Sequence, residues 1–359
     1  MNSKNSFPLH KKISFFLIVY FMIFLCCEVI VRIYRGKLFS FTSTQVSHEI
    51  RKKRFKVDPI LGWTNLPKSN TADNYISEGI VSINADGFRD NGNGFKDKPP
   101  YILAVGDSTT FGDEVRDNET WPSQLELIIG RRVINGGVSG YGLDQAILRT
   151  EAILKSIKPE WVILTFIPDS VERSEHSVIF GIAKPTFNIL NNKLSLKLPP
   201  KKSMLWDNLR FLLGYSHFID IIMDFIAPKL QIPWNYHYSV REHKNGPAVI
   251  IKLINRFVDV VEASGAKPLI IYIHYPTWPP VPQVHPVLIH KNRIDPIISH
   301  IRKHRIMFID IGKELERYYR SRLDSNIANN FYQKGWHFSP IGNKWLADQI
   351  ALIVSQTKN

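Results

Sequence analysis

Only two cysteines occur in the chain, Cys26 and Cys27, and they are neighbours inside an apolar run. No disulfide can staple the rest, so the fold must rest on a packed core, and cysteine usage is silent on compartment. Internal repeats and low-complexity tracts are also lacking, which excludes a solenoid. Two glycine signatures are missing as well. In Gly140-Tyr-Gly142-Leu-Asp-Gln145 a glutamine stands where a dinucleotide turn has its last glycine. Thr110 stands where Gly-x-Ser-x-Gly around Ser108 would need one, so an α/β-hydrolase elbow is unsupported.

Charge is absent from Ile13 to Cys27, and Val29–Val31 extends the run past Glu28. With Ile33 and Tyr34 the stretch reaches about 20 residues, the length of a membrane-spanning helix. No small-x-small cleavage site follows it, and the residues before the cysteines (Leu25, Cys26) do not suit a lipoprotein site. An uncleaved signal anchor over residues 13–34 is therefore expected rather than a removed leader. Glu28 and Arg32, four apart, are placed to pair near the interface. Lys4, Lys11 and Lys12 balance Arg32, Arg35 and Lys37, so flanking charge leaves the orientation open.

What is present suits one large α/β domain with an insertion: 359 residues, 44% apolar. The net charge of +14 falls to +9 once the six bases and one acid around the anchor are set aside. No nucleic-acid recognition motif accompanies those bases, and attraction to anionic membranes or acidic glycans accounts for them better.

Apolar runs alternate with helical patterns after residue 100, which argues for βαβ units. Strands are expected at 101–106, 132–136, 161–167, 268–274 and 306–311. Helical stripes are formed by Ile250, Leu253, Ile254, Phe257 and Val261, and by Leu346, Ile350 and Ile353. The expected fold is a three-layer, flavodoxin-like α/β arrangement, a parallel sheet of about five strands with helices on both faces. Its parts are a basic tail (1–12), the anchor (13–34), a juxtamembrane segment and linker (35–100), the catalytic domain in two pieces (101–171 and 246–359), and an insertion (172–245). Residues 38–100 are polar and turn-rich, with Asn84-Ala-Asp-Gly-Phe-Arg89 the one distinctive piece. The insertion holds a possible hairpin (Pro185 to Leu198, turning at Asn191-Asn192) and an apolar helix-like stretch from Leu205 to Leu230. Its aromatics, Trp206, Phe211, Phe218, Phe225 and Trp234, make either an ordinary subdomain core or a cap that shapes the site or rests on the membrane.

Four pieces fall at successive strand ends, where open α/β sheets bind their ligands. They are Gly106-Asp-Ser108, the glycine-rich turn Asn135 to Gly142, Phe166-Ile-Pro-Asp169-Ser170, and Gly335-Trp-His337-Phe-Ser-Pro-Ile-Gly342. Ser108 ends a buried strand and can act as a nucleophile or merely cap a turn. The glycine turn leaves backbone N–H groups free to face an oxyanion. Of the twelve histidines, His337 is the best placed to serve as a base.

In this order the pieces resemble the SGNH/GDSL hydrolase family, over most of residues 83–171 and 246–359. The resemblance implies Ser108 as nucleophile, His337 as base, Gly140 as an oxyanion donor, and an acyl-enzyme intermediate without metal or cofactor. The 84–89 stretch and the anchor resemble the membrane-anchored bacterial members, whose catalytic domain faces outward. That implies an inner-membrane protein with an extracytoplasmic hydrolase domain. Two departures stand out. Where the family has Asn-Asp, one register sets Asp169 at the asparagine and Ser170 at the aspartate, while the other leaves Pro168, without a donor, at the asparagine. A carboxylate can donate to an oxyanion only when protonated, so that role for Asp169 requires burial. The second departure is at the histidine, where Lys334 and Gly335 occupy the positions of the family's aspartate. The acid must then come from elsewhere, or a backbone carbonyl in the 333–336 loop must hold the ring N–H.

His300 and His304 sit four apart among Arg302, Lys303 and Arg305, a poor place for a dication, and read as a solvated basic face. His274 ends a strand and either lines the site or is structural. The expected function is a membrane-anchored esterase acting on an O-acyl group, such as acetyl, of an extracytoplasmic glycan or similar small ester. The alternatives are an O-acyltransferase on a surface polysaccharide and an inactive binding module of the same fold. Nucleic acid is not an expected partner, and the oligomeric state is left open.

Overall fold

Alternation inside one strand decides the layering. In β1 (Tyr101–Val105), Ile102 and Ala104 face one side, Leu103 and Val105 the other, and all four are fully buried. A strand buried on both faces needs helices on both. The computed structural model describes residues 8–40, 42, 53–72, 80–95, 99–179, 182–199, 212–226, 229, 240–241, 246–274, 288–322, 330–333 and 337–356. The longer helices are α1 (Leu9–Tyr34), α2 (Trp121–Ile129), α3 (Leu143–Ile153), α4 (His217–Ile226), α5 (Gly246–Ala263), α6 (Leu288–Lys303), α7 (Ile311–Arg322) and α8 (Pro340–Gln356). With β1, the strands β2 (Val133–Asn135), β3 (Pro159–Phe166), β4 (Lys267–Tyr272) and β5 (Phe308–Asp310) form one sheet.

All its pairings are parallel, in the order β5-β4-β3-β1-β2. This is the flavodoxin-like order, and the chain reverses its direction of travel between β1 and β3, where such sheets open a crevice. Leu103, Val105, Val162, Leu164 and Ile270 pack with α3, α5 and α6 on one face. Ile102, Ala104, Trp161, Ile163 and Ile271 pack with α2, α7 and α8 on the other. The α5 stripe Ile250, Leu253, Ile254, Phe257 and Val261 is buried, as the periodicity requires.

The chain divides into two units: Met1–Arg51 with Lys202–Tyr238, and Lys52–Lys201 with Ser239–Asn359. The stretch expected as one insertion, 172–245, is thus shared between them. Its hairpin is present in the sheet-bearing unit, with Thr186–Leu190 antiparallel to Lys193–Lys197. Asn191 and Asn192 both take positive φ (48° and 60°), as a tight two-residue turn demands. In the other unit, α4 realises part of the helix expected over 205–230. Trp206, Phe211 and Trp234 lie outside the described residues.

The segment 35–100 is more ordered than its polar composition suggests. Phe55–Asp58 pairs antiparallel with Gly62–Asn65, and Ser69–Ala72 with Ile80–Ile83. Strands of four residues are too short for alternation to show, and burial of Trp63 and Val81 stabilises them instead.

Ile163, fully buried in the central strand, has no room to relax around a cavity. Ile163→Ala should cost about 2–5 kcal/mol, read as a lower denaturation midpoint for the full-length protein in detergent.

Candidate active site

Backbone chemistry at the end of β1 places Ser108. Asp107 caps a single helical turn, Ser108–Phe111, by accepting the Thr109 amide at 2.9 Å. The other Asp107 oxygen accepts Ser170 Oγ at 2.7 Å and Arg173 Nη1 at 3.3 Å, which ties the end of β1 to the end of β3. Gly106 is needed for close approach: a Cβ there would lie 2.3 Å from Thr165 Oγ1.

Ser108 is 6% exposed, and its Oγ lies 3.0 Å from His337 Nε2. His337 Nδ1 lies 2.9 Å from Glu114 Oε2, and its backbone amide donates to the same oxygen at 3.4 Å. An ionised carboxylate only accepts, so Nδ1 carries the proton and Nε2 is left to accept from the serine hydroxyl. Burial works against a charged His337 ring. The hydrogen bond to Glu114 and the charges of Asp113, Glu114 and Asp107 outweigh it, so its pKa lies above the usual imidazole value.

Of the two partners expected for the His337 ring N–H, an acid from elsewhere or a carbonyl of the 333–336 loop, the structure has the acid, Glu114, six residues after Ser108. Its signal in the sequence is the adjacent pair Asp113-Glu114 in the loop that leaves the Ser108–Phe111 turn. Glu114 takes φ +67°, a left-handed conformation that costs a non-glycine residue energy and persists only when its surroundings enforce it. Arg89 does so from the 84–89 stretch. Its fully buried guanidinium donates to the carbonyls of Phe111 (2.9 Å), Gly112 and Val115 (2.6 Å), and its Nε to Asp117 at 3.1 Å. Its neighbour Asp113 binds Arg54, which also donates to Ser139 Oγ at 2.8 Å. Burial alone would raise the Asp113 pKa. Arg54, His337 and the Ser139 hydroxyl hold it lowered.

His337 is fixed from the opposite side. Tyr332 and Phe338 form an antiparallel bridge and stack at 5.2 Å, and Gln333 N donates to His337 O at 2.8 Å. Asn343 links this loop to α2, accepting the Trp121 amide at 3.0 Å and donating to Phe338 O at 2.9 Å. Lys334 and Gly335 lie outside the described residues.

The glycine turn packs on the Ser108–Phe111 turn so tightly that a Cβ at Gly137 would lie 2.3 Å from Phe111 N. Gly140 takes φ +79°. Strand Gly62–Asn65 clamps the turn: Trp63 Nε1 donates to Ser139 O at 3.2 Å and Asn65 Nδ2 to Gly137 O at 3.0 Å. Among the described residues the amides of Ser108 and Gly140 have no protein acceptor. The Ser108 amide, beside a hydroxyl, an imidazole and a carboxylate, can stabilise an oxyanion formed by serine attack on a carbonyl, and a second free amide such as that of Gly140 is the kind of donor that would complete such a site.

The buried donor expected at Asp169 is not found. Its side chain is 58% exposed and lies 3.7 Å from Arg173, whereas Ser170 is buried and bonded to Asp107. His274 pairs with Asp310 at 2.8 Å across the ends of β4 and β5 and stacks on Tyr272, which accounts for it structurally. His300 bonds Asn255 at 2.7 Å and contacts the His304 ring, and no group able to hold a metal occurs among the described residues.

No family model and no curated protein matches the chain. Solved structures do resemble it. A lipase/acylhydrolase from Enterococcus faecalis is 15% identical with a TM-score of 0.40, covering 72% of this chain and 96% of its own. A lipolytic protein of the G-D-S-L family from Veillonella parvula is 10% identical with a TM-score of 0.41, covering 71% and 98%. An acetyl xylan esterase is 12% identical with a TM-score of 0.40, covering 71% and 99%.

Two opposed influences on His337 can be separated by proton NMR titration. Glu114→Gln removes the hydrogen bond to a charge and leaves burial dominant, so the His337 pKa should fall. An unchanged value would mean that Glu114 does not hold the ring.

Proposed function

We propose that the protein is a membrane-anchored serine esterase that cleaves an O-acyl ester, with an extracytoplasmic O-acylated glycan as its substrate class. The observation that carries the reading is the continuous relay Ser108 Oγ, His337 Nε2, His337 Nδ1, Glu114 Oε2. In the first half-reaction Ser108 Oγ attacks the acyl carbonyl as its proton passes to His337 Nε2. The Ser108 and Gly140 amides bind the oxyanion, and Glu114 stabilises the imidazolium. Collapse expels the alcohol, which takes the proton from His337 and leaves an acyl-serine. Water then loses a proton to His337, attacks the acyl carbon, and the acid departs as Ser108 is reprotonated. The lack of an acid beside His337 was the feature that favoured an inactive module. Glu114 answers it and so supports the enzyme reading.

Membrane attachment is supported by α1, a 26-residue helix whose apolar 18-residue window has mean hydropathy 2.6 and no buried residue. At 1.5 Å per residue it is about 39 Å long, enough for a hydrocarbon core of about 30 Å. Retention of the anchor is supported by its polar end. Glu28 accepts from the His217 and Phe218 amides (3.0 and 2.8 Å) and from Ser216 Oγ (2.7 Å), and so caps α4. Arg35 pairs with the fully buried Asp220 at 3.3 Å. Removal of α1 would leave the first amides of α4 without Glu28. A catalytic domain outside the cytoplasm follows from the resemblance and the anchor, and the basic balance suits an acidic glycan.

A serine-reactive phosphonate should label Ser108 alone, Ser139 being engaged by Arg54 and Asp113. Ser108→Ala should lose hydrolysis across a panel of acyl esters. Glu114→Gln should lose about four orders of magnitude in kcat, the loss a serine hydrolase shows when its histidine takes the wrong tautomer. Wild-type turnover by Ser108→Ala would refute the assignment. Product formed only when a sugar acceptor is added would move the reading to acyl transfer.

Because His337 must be neutral to accept the proton, kcat/KM should fall as pH drops through its raised pKa. The acid limb should therefore lie above the usual imidazole value and move to lower pH in Glu114→Gln.

A C-terminal phosphatase fusion should be active and a fluorescent-protein fusion dim. The reverse pattern would place residues 38–359 in the cytoplasm.

A further inference from the structure

Helix α4 has two unlike faces. His217 and Asp220 are buried against the anchor's polar end, while Ile221, Ile222, Phe225 and Ile226 are exposed, Phe225 at 68%. Leu212 and Tyr215, in the turn before it, are exposed too. The spacing 221, 222, 225, 226 makes one continuous apolar stripe. In water such a stripe would be an association hazard, so it needs an occupant.

The anchor indicates which occupant. Phe24 of α1 packs edge-to-face on Phe218 at 6.0 Å, and Glu28, one turn further along α1, caps α4. Helix α4 therefore begins at the depth where the apolar run of the anchor ends. Its polar groups are satisfied internally. Glu28 takes its first amides, Arg35 reaches Asp220 at 3.3 Å and Asp224 at 3.9 Å, and Arg32 donates to Tyr215 O at 3.0 Å. Beyond the helix, the Lys229 ammonium lies 3.7 Å from the Phe225 ring centre, a cation–π contact at the edge of the stripe. An apolar stripe continuous with a spanning helix, with a lysine at its edge and its carboxylates neutralised, has the chemistry of a helix seated at a lipid interface.

We propose that α4 lies in the interfacial layer of the bilayer beside the anchor, its stripe among lipid acyl chains, as a second point of membrane contact. The proposal rests on the reading of α1 as a retained membrane span, and the experiment separates the two. Full-length protein with Cys26→Ser and Cys27→Ser is labelled with an environment-sensitive fluorophore at Phe225→Cys. It is reconstituted in vesicles of phosphatidylcholine and phosphatidylglycerol. Phe16→Cys reports on the anchor, and Leu190→Cys, in the 186–197 hairpin, serves as an aqueous reference. At Phe225 a lipid spin-labelled near its headgroup should quench several-fold more than iodide does, with a blue-shifted emission, and Arg35→Ala should weaken that quenching. Lipid quenching at Phe16 with none at Phe225 would overturn the proposal and leave the anchor intact. If iodide then quenches Phe225, the stripe faces water; if neither quencher reaches it, another protein surface covers it. Absence of lipid quenching at both positions would overturn the anchor reading and the proposal together.

Discussion

A buried guanidinium is an expensive group to place, because removing it from water costs several kcal/mol unless its donors and charge are matched. Arg89 meets that cost with three carbonyls of the loop after Ser108 and the carboxylate of Asp117. Those acceptors belong to residues on both sides of Glu114, so the same contacts that satisfy the arginine set the path of the loop. The left-handed backbone at Glu114 is tolerable because that path is over-determined. Arg89 is itself held to the sheet, its amide donating to Asn135 O at 3.1 Å beyond the edge strand β2. The relay thus depends on a residue that touches none of its members.

Two of the three relay residues then lie on one short segment, which makes their separation nearly a local property of the chain. Only His337 comes from a distance, and Asn343 fixes it by bonding both the histidine loop and the first turn of α2. Packing of α2 and α8 on the same face of the sheet brings the loop within reach. The oxyanion side is set differently, by glycine contacts too close for any side chain and by the clamp from strand Gly62–Asn65. Asp107 joins the two sides, capping the Ser108–Phe111 turn while accepting from Ser170 and Arg173 beyond β3.

The unit that holds α1 follows another logic, in which the charged groups near the end of that helix are matched within the protein. Glu28 and Arg32, which in sequence look like a simple i,i+4 pair and do meet at 2.6 Å, use their remaining capacity on the start of α4 and on the carbonyls of Leu38, Ser40 and Tyr215. Helix α1 is thereby built into a folded unit instead of ending in a tether.

The five core strands, their parallel pairing and the helices on both faces were legible in the sequence, because runs buried on both faces and 3.6-residue stripes are local signals. The places of Ser108 and the glycine turn were legible for the same reason, both following directly from a strand end. The short strands of 55–83 were not, since four residues carry too little alternation. The donor role that the resemblance implied for Asp169 needed a buried carboxyl, but exposure is a property of the assembled surface, and that side chain is exposed. Which of the adjacent acids Asp113 and Glu114 meets His337 was decided by tertiary structure. A hydrogen bond between residues 114 and 337 depends on how two loops meet across a sheet edge, and no local pattern encodes that distance.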